Sequence, residues 1–230
     1  MKKKKELNIV FCLPGPTGGF SGKFFDSWVR LTGYCRENNI NMTVSRHGGS
    51  NVFIVREKCL GAASVENMIK TTDKPFDGKV DYDYIMWIDS DIIFWPKAFE
   101  LLLEDCEQRS CDVVTGCYRK DGSTFCFIEK EENSDDATPA KLTWANIPQT
   151  LNRGKDLIEC FHAGMGFMLI KKGVVEKLEK PWFVNAAANI NGKEYAAGED
   201  VAFCSRIRMA GFKIYADPRC VVGHEKLVVS

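Results

Sequence analysis

Tyr84-Ile85-Met86-Trp87-Ile88-Asp89-Ser90-Asp91-Ile92-Ile93-Phe94-Trp95 is the stretch on which the reading of this chain turns. Its first five residues are apolar without alternation, as in a strand buried on both faces inside a parallel sheet. Two carboxylates follow at once, one residue apart. In open α/β sheets ligands bind beyond the carboxyl ends of the strands, and Asp89 and Asp91 fall at such an end. Two carboxylates beside a buried strand are costly unless a positive charge meets them. A divalent cation does so, and oxygen ligands select Mg2+ or Mn2+ over softer metals. The plain alternative is a turn capped by Asp side chains. Asp-x-Asp is common, and the apolar strand before it is what favours a metal.

Toward the N-terminus, Leu7 to Leu13 is another apolar run, and Pro14-Gly15-Pro16-Thr17-Gly18-Gly19 ends it. It reads as a buried strand followed by a loop. Ser21 is placed to cap a helix in which Phe24, Trp28, Leu31 and Cys35 recur at helical spacing, to about Asn38. Asn41 to Ser45 reads as a second short strand, Val52 to Ile69 as mainly helical, and Lys74 to Asp83 as a turn-rich link. Toward the C-terminus, Pro96 opens a helix through Leu103. Asp112 to Tyr118 and Thr124 to Ile128 read as strands, and Glu129 to Lys141 as an acidic, polar loop. Phe161 to Ile170 is apolar and broken by glycine, and Val174 to Leu178 is a short helix. Asp200 to Ala210 is a helix ending at Gly211, and Lys213 to Ala216 is a last strand. Strands alternating with helices in the first half predict an α/β/α sandwich with a mostly parallel central sheet.

A chain of 230 residues, 45% of them hydrophobic, suits one domain with a sizeable core. Lys+Arg and Asp+Glu both number 31, so the formal charge is zero. A general polyanion binder carries a basic surplus, so no nucleic-acid partner is expected. An anionic ligand must instead be met locally, by a metal or a few placed cations. No apolar run approaches the ~20 residues of a membrane span, so no stable membrane insertion is expected. Met1 to Lys5 is basic, but Ile9 to Leu13 is shorter than a signal-peptide core of roughly 7–15 residues. The Lys run reads as a solvated, frayed end. None of the 10 Cys forms a Cys-x-x-Cys pair. Cys12, Cys35, Cys59, Cys117, Cys126, Cys204 and Cys220 lie in apolar segments, as small buried hydrophobes do in a reducing, cytoplasmic setting. The spacing of Cys106, Cys111 and Cys117 fits no common zinc pattern.

Three more segments carry chemistry-bearing side chains. His224 follows the apolar pair Val221-Val222; as a ligand it would add a nitrogen to the Asp oxygens and tilt the choice toward Mn2+. A core or surface histidine is the plain alternative. Gly198-Glu199-Asp200 starts a helix, where acids are expected as caps because the N-terminal dipole favours negative charge. The functional reading makes one of these carboxylates a general base toward an acceptor hydroxyl. Gly164 and Gly166, in His162-Ala163-Gly164-Met165-Gly166-Phe167, permit either a close backbone approach to a ligand or a tight packing turn. Two nucleotide motifs are excluded. Gly22-Lys23 is followed by Phe24, with Thr17 at the first P-loop glycine position, and Gly15, Gly18, Gly19 and Gly22 do not give Gly-x-Gly-x-x-Gly.

In their order these residues resemble the GT-A glycosyltransferases. That order is a strand and loop, an arginine-bearing helix, an apolar strand with Asp-x-Asp, a Gly-x-Gly strand, Glu-Asp and a late His. The resemblance spans about Leu7 to Glu225 and extends to short stand-alone enzymes of this kind in some large viruses and phages. It implies a Rossmann-like GT-A sandwich forming one domain, 1–230. A nucleotide-binding half would cover about 7–118 and an acceptor-binding half about 119–230. It also implies transfer of a sugar from a UDP- or GDP-sugar donor to a hydroxyl of a sugar or glycan acceptor.

The implied roles follow position by position. Asp89 and Asp91 would hold Mn2+ or Mg2+ and the donor diphosphate with His224, and Ser90 sits between them. Leu13, Pro14, Gly15, Ser45 and Arg46 would contact the nucleoside. Arg56 would face the nucleotide, and Gly164 and Gly166 would line the sugar site. Asp200 would be the base of an inverting displacement, with Glu199 facing the acceptor. The first loop, Pro14 to Gly22, departs from the family in length, which leaves uridine or guanosine open. Glu129 to Asp136 and Asn152 to Lys155 are candidate lids. A nucleotidyltransferase or phosphohydrolase, which would bring together more acids and a second metal, and a non-catalytic sugar-binding domain are the competing readings.

Overall fold

The computed structural model describes residues 6–17, 19–62, 74–131, 143–190 and 193–225, with 186–190 and 193–197 as backbone alone. β1 (Leu7–Gly15) lies between β2 (Ile40–Gly48) and β3 (Tyr84–Ile88), parallel to both. The sheet continues through β5 (Val113–Cys117), β6 (Thr124–Glu129), β7 (Trp144–Asn146), β8 (Ile158–Ala163), β9 (Phe167–Lys171) and β12 (Ile214–Val221). Its order is β2-β1-β3-β9-β5-β12-β8-β6-β7. β9 runs antiparallel between β3 and β5, whereas β12 is parallel to β5. Following the pairings across the sheet, β1, β2, β3, β5, β6 and β12 point one way, and β7, β8 and β9 the other. A two-residue strand, β4 (Ile92–Ile93), and a backbone hairpin of β10 (Ala186–Ile190) and β11 (Lys193–Ala197) lie outside it.

Successive residues of a strand point to opposite faces, and here both faces are covered. Ile9, Phe11, Met86 and Ile88 pack beneath α1 (Gly22–Glu37) and α3 (Pro96–Gln108), with Phe24, Leu31, Phe99 and Leu102. Val10, Cys12, Ile85 and Trp87 face the other side, among Cys59 of α2 (Val52–Cys59) and Phe203, Cys204 and Ile207 of the last helix. This is why β1 and β3 read as unbroken apolar runs. Ser21 caps α1 by accepting from Phe24 N at 3.1 Å. A short helix, α4 (Ile147–Leu151), is capped by Asn146, which accepts from Gln149 N.

Several elements depart from their expected bounds. α2 stops at Cys59 because the chain turns at Gly61, where φ is +94° and a Cβ would stand 2.9 Å from the Cα of Phe76. Positions 63–69 of the expected helix lie outside the described residues. α3 runs past Leu103 because Asp105 and Cys106 keep its inward face buried. The glycine-broken stretch resolves into β8 and β9. Val174 to Leu178 holds only a single 3-10 turn, Val175–Lys177. The last long strand reaches Val221 through a bulge after Asp217. No described helix is long and apolar enough to cross a membrane.

Candidate active site

β3 ends at Ile88, and the chain reverses in a turn closed by Ile92 N donating to Asp89 O at 3.1 Å. β4 then pairs antiparallel with β13 (Gly223–His224), which sets His224 opposite Ile92. Glu225 N donates to Asp91 O at 2.7 Å. Through this short ladder a residue from the end of the chain reaches the Asp-x-Asp turn: His224 Nε2 lies 3.1 Å from Asp91 Oδ2. The other ring nitrogen, Nδ1, lies 2.8 Å from the carbonyl oxygen of Arg119. A carbonyl only accepts, so Nδ1 carries the proton. Nε2 faces a carboxylate oxygen, a contact met either by a proton on Nε2 or by a cation shared between the two. Ligand atoms about 2.1 Å from a Mg2+- or Mn2+-sized ion, at right angles, stand about 3 Å apart. The spacing and chemistry of this pair therefore fit two ligands of one ion. Among the described residues no group of three or more His, Cys, Asp and Glu gathers, so such an ion would draw its remaining ligands from substrate and water.

Beside the turn lies a cleft of about 350 Å3 whose lining includes Pro14, Gly15, Gly49, Ser50, Asp89 and Asp91. Gly15 has to be glycine here, because a Cβ would stand 2.8 Å from that of Ser90. Of the residues assigned to the nucleoside, Pro14 and Gly15 line this cleft and Leu13, Ser45 and Arg46 do not. Leu13 is buried in the core, the Ser45 hydroxyl donates to Cys59 O at 2.8 Å, and the Arg46 guanidinium sits over the Phe20 ring. Gly49 and Ser50 escaped the sequence reading. Their signal is the Gly48-Gly49-Ser50 break between β2 and α2, where Gly49 N donates to Gly15 O.

Arg56 on α2 is 3% exposed. Its Nη2 donates to Asp89 Oδ2 at 3.0 Å and its Nε to Glu199 Oε1 at 3.3 Å. Burial alone would pull the guanidinium pKa down; the charges of Asp89 and Glu199 more than offset this and push it up. Burial pushes the Asp89 carboxyl up, Arg56 opposes this, and the charges of Asp91 and Asp200 add to it. Arg56 was expected to face the nucleotide. It ties the Asp89-Ser90-Asp91 turn to the helix that carries Glu199 and Asp200.

That helix, α5 (Glu199–Met209), has Gly198 at its N-cap. Glu199, with a side chain 12% exposed, is engaged by Arg56. The Asp200 side chain is 29% exposed; its Oδ1 accepts from Val201 N at 2.8 Å, and its Oδ2 lies 3.8 Å from His162 Nε2. Gly164 and Gly166 are buried under Tyr118: a Cβ would stand 2.0 Å from its hydroxyl at Gly164 and 2.9 Å from its Cζ at Gly166. Their expected place on the sugar-site wall is corrected to a packing role. Gly166 N donates to that hydroxyl at 3.0 Å, and Gly166 O accepts from Asp89 N at 2.9 Å. Tyr118 also meets the His224 ring edge-on at 5.4 Å. Of the lid candidates, Asn152 to Lys155 is exposed, with Arg153 2.6 Å from Glu129; positions 132–136 lie outside the described residues. Cys106, Cys111 and Cys117 are buried free thiols, and burial pushes Cys111 up to about 11.

Residues 78–179 match the family model described as glycosyl transferase family 2. The matched segment runs from just before the Asp-x-Asp strand to just past the Gly-x-Gly strand. Among solved structures, the A197 protein from STIV is 19% identical, with 97% of each chain covered and a TM-score of 0.53. A Drosophila beta-1,4-galactosyltransferase 7 variant, solved with manganese, UDP-Gal and xylobiose, is 12% identical; the match covers 96% of this chain and 71% of that one, with a TM-score of 0.47. No curated protein matches the sequence. The fold is that of the A197 protein, and the likeness to family 2 glycosyl transferases lies in residues 78–179, less than half of the chain.

Proposed function

We propose that this protein is a GT-A glycosyltransferase that moves a sugar from a UDP- or GDP-sugar to a hydroxyl of a sugar or glycan acceptor, inverting the anomeric centre. Asp91 and His224 would hold Mn2+ or Mg2+, with Asp89, expected beside them as a ligand, paired with Arg56, and Asp200 is the general base. The observation that carries the reading is the apposition of His224 Nε2 and Asp91 Oδ2 at 3.1 Å beside the cleft. An imidazole nitrogen beside a carboxylate oxygen favours Mn2+. A divalent ion supplies Lewis-acid stabilisation of the negative charge that develops on a leaving diphosphate.

The protein's own groups do the rest. The glycine-walled cleft lets a nucleoside approach the backbone closely. Asp200 takes the proton from the acceptor hydroxyl; that oxygen bonds to the anomeric carbon while the bond to the diphosphate breaks and its electron pair leaves with the phosphate oxygen. Glu199 is held by Arg56, whereas Asp200 has only Oδ1 in a hydrogen bond, from Val201 N, which favours Asp200 for this task. We assign the whole chain to one domain, the nucleotide-binding half at about 7–118 and the acceptor-binding half at about 119–230. A nucleotidyltransferase or phosphohydrolase working with two metals draws on more converging acids, and among the described residues no such group gathers.

Nucleotide release from a panel of UDP- and GDP-sugars with Mn2+, with water or xylobiose as acceptor, identifies the donor. With that donor, Asp200→Asn is expected to keep donor and metal affinity and to lower kcat by about 10²–10⁴. An unchanged kcat, or a product that keeps the donor's configuration, would overturn the inverting assignment.

A further inference from the structure

His162 is the histidine that the proposed reaction leaves without a task. It lies on β8, 2% exposed, with its backbone fixed in the central sheet opposite Ile128. Neither ring nitrogen has a hydrogen-bond partner among the described residues. A buried polar side chain left unpaired costs free energy, and a native fold keeps one where it serves a purpose. The Trp144 ring stands edge-on to the imidazole at 5.6 Å. On the remaining side is Asp200, its Oδ2 3.8 Å from His162 Nε2, within reach of an ion pair and just beyond a hydrogen bond. Both residues sit on rigid elements: α5 packs on β8, where Cys204 Sγ donates to Ala163 O at 3.2 Å.

We propose that His162 is the positioning residue of the acceptor-side base, its neutral imidazole donating from Nε2 to Asp200 Oδ2 when the site closes on an acceptor. The proposal rests on Asp200 being the general base. The ring stays neutral because burial disfavours its charge and Arg208 adds to that, against the pull of Asp200. A neutral imidazole has one N–H, and Asp200 is the hydrogen-bond acceptor that faces it. Oδ1 is already held by Val201 N at 2.8 Å. With Oδ2 held as well, the carboxylate plane is fixed and its remaining lone pairs are aimed at the incoming hydroxyl. Misplacement of a reacting group by about 1 Å costs on the order of 10²-fold in rate, and closing the 3.8 Å gap to a hydrogen bond is a movement of nearly that size.

The test uses the full chain with Mn2+ and the best donor from the UDP- and GDP-sugar panel. His162→Phe fills the pocket without an N–H and is expected to lower kcat about 10–100-fold with the donor KM unchanged. His162→Gln keeps a donor and is expected to recover most of that loss. In an Asp200→Asn background His162→Phe is expected to change nothing further, because the two act as one unit. In the 15N-labelled wild type, the His162 signal, identified by its loss in the variants, is expected to show the Nε2–H tautomer. A Phe variant with wild-type kcat, a Gln variant as slow as Phe, losses that add in the double variant, or an Nδ1–H tautomer would each overturn the role of His162. If Asp200→Asn alone keeps its kcat, the base assignment fails and this proposal with it. If Asp200→Asn is slow while His162→Phe is not, only the histidine's role is lost.

Discussion

The carbonyl of Arg119 keeps a proton on His224 Nδ1, and Nε2 faces Asp91. His224→Ala and Asp91→Ala are each expected to weaken Mn2+-dependent binding of UDP or GDP by at least about tenfold in calorimetric titration. Their melting temperatures without metal should stay near wild type. Equal affinity would remove the residue from the ligand set. A second residue-scale feature is far from the cleft. Asp105 and Asp217 are fully buried side by side, and Arg219 Nη2 lies 2.7 Å from Asp105 Oδ1 and 2.9 Å from Asp217 Oδ2. Burial, and then the charge of Asp217, push Asp105 up to about 7. A carboxyl raised by folding contributes stability that is fully present below its unfolded pKa of about 4. That contribution is lost as pH rises through about 7. The melting temperature should therefore carry a downward component from about pH 4.5 to 8, and Asp105→Asn should remove it. A pH profile unchanged by that substitution would show that the pair does not hold the proton.

At the scale of elements, the site is where three of them are tied together by one guanidinium. Arg56 joins α2 to the end of β3 through Asp89 and to the start of α5 through Glu199. Arg56→Met leaves two partly buried carboxylates uncompensated and should cost about 3 kcal/mol, visible as a lower denaturation midpoint together with weaker donor binding. Wild-type stability would mean that the two acids are neutralised in some other way. The crossing from β8 to β9 depends on close packing instead. Gly164→Ala drives a methyl into the Tyr118 hydroxyl and should destabilise by about 1–3 kcal/mol. Adding Tyr118→Phe should restore part of that loss in thermal melts, since the oxygen is the atom met first. No recovery would place the strain elsewhere in the turn.

Across the whole molecule, the cleft, the Asp91–His224 pair and α5 draw on residues from Pro14 to His224, so occupancy of the site should stiffen the entire sheet. Mn2+ with UDP or GDP at about 100 times Kd should stabilise by about 2.7 kcal/mol, and neither component alone should reach this. An equal shift from nucleotide without metal would detach the metal from donor binding. The fold class was legible because it is written locally. Tyr84 to Ile88 is apolar without alternation since both faces of β3 are covered, and Ser21 with Phe24, Leu31 and Cys35 marks α1 by capping and spacing. The place of Asp89 and Asp91 at a strand end follows from the same local pattern. The sequence by itself therefore determined the α/β class, the main strands and helices, and the place of the Asp-x-Asp turn at a strand end. The tertiary structure decided who meets whom there. Glu199 joins Arg56 from 143 positions away and His224 joins Asp91 from 133, through a two-residue ladder too short to leave a periodic signal. β9 enters the sheet against its neighbours, Tyr118 is what requires Gly164 and Gly166, and His162 lies against Asp200 only because α5 packs on β8. Periodicity and capping arise from neighbours along the chain, whereas ion pairs and close contacts between distant residues exist only once packing has placed the backbone beneath them.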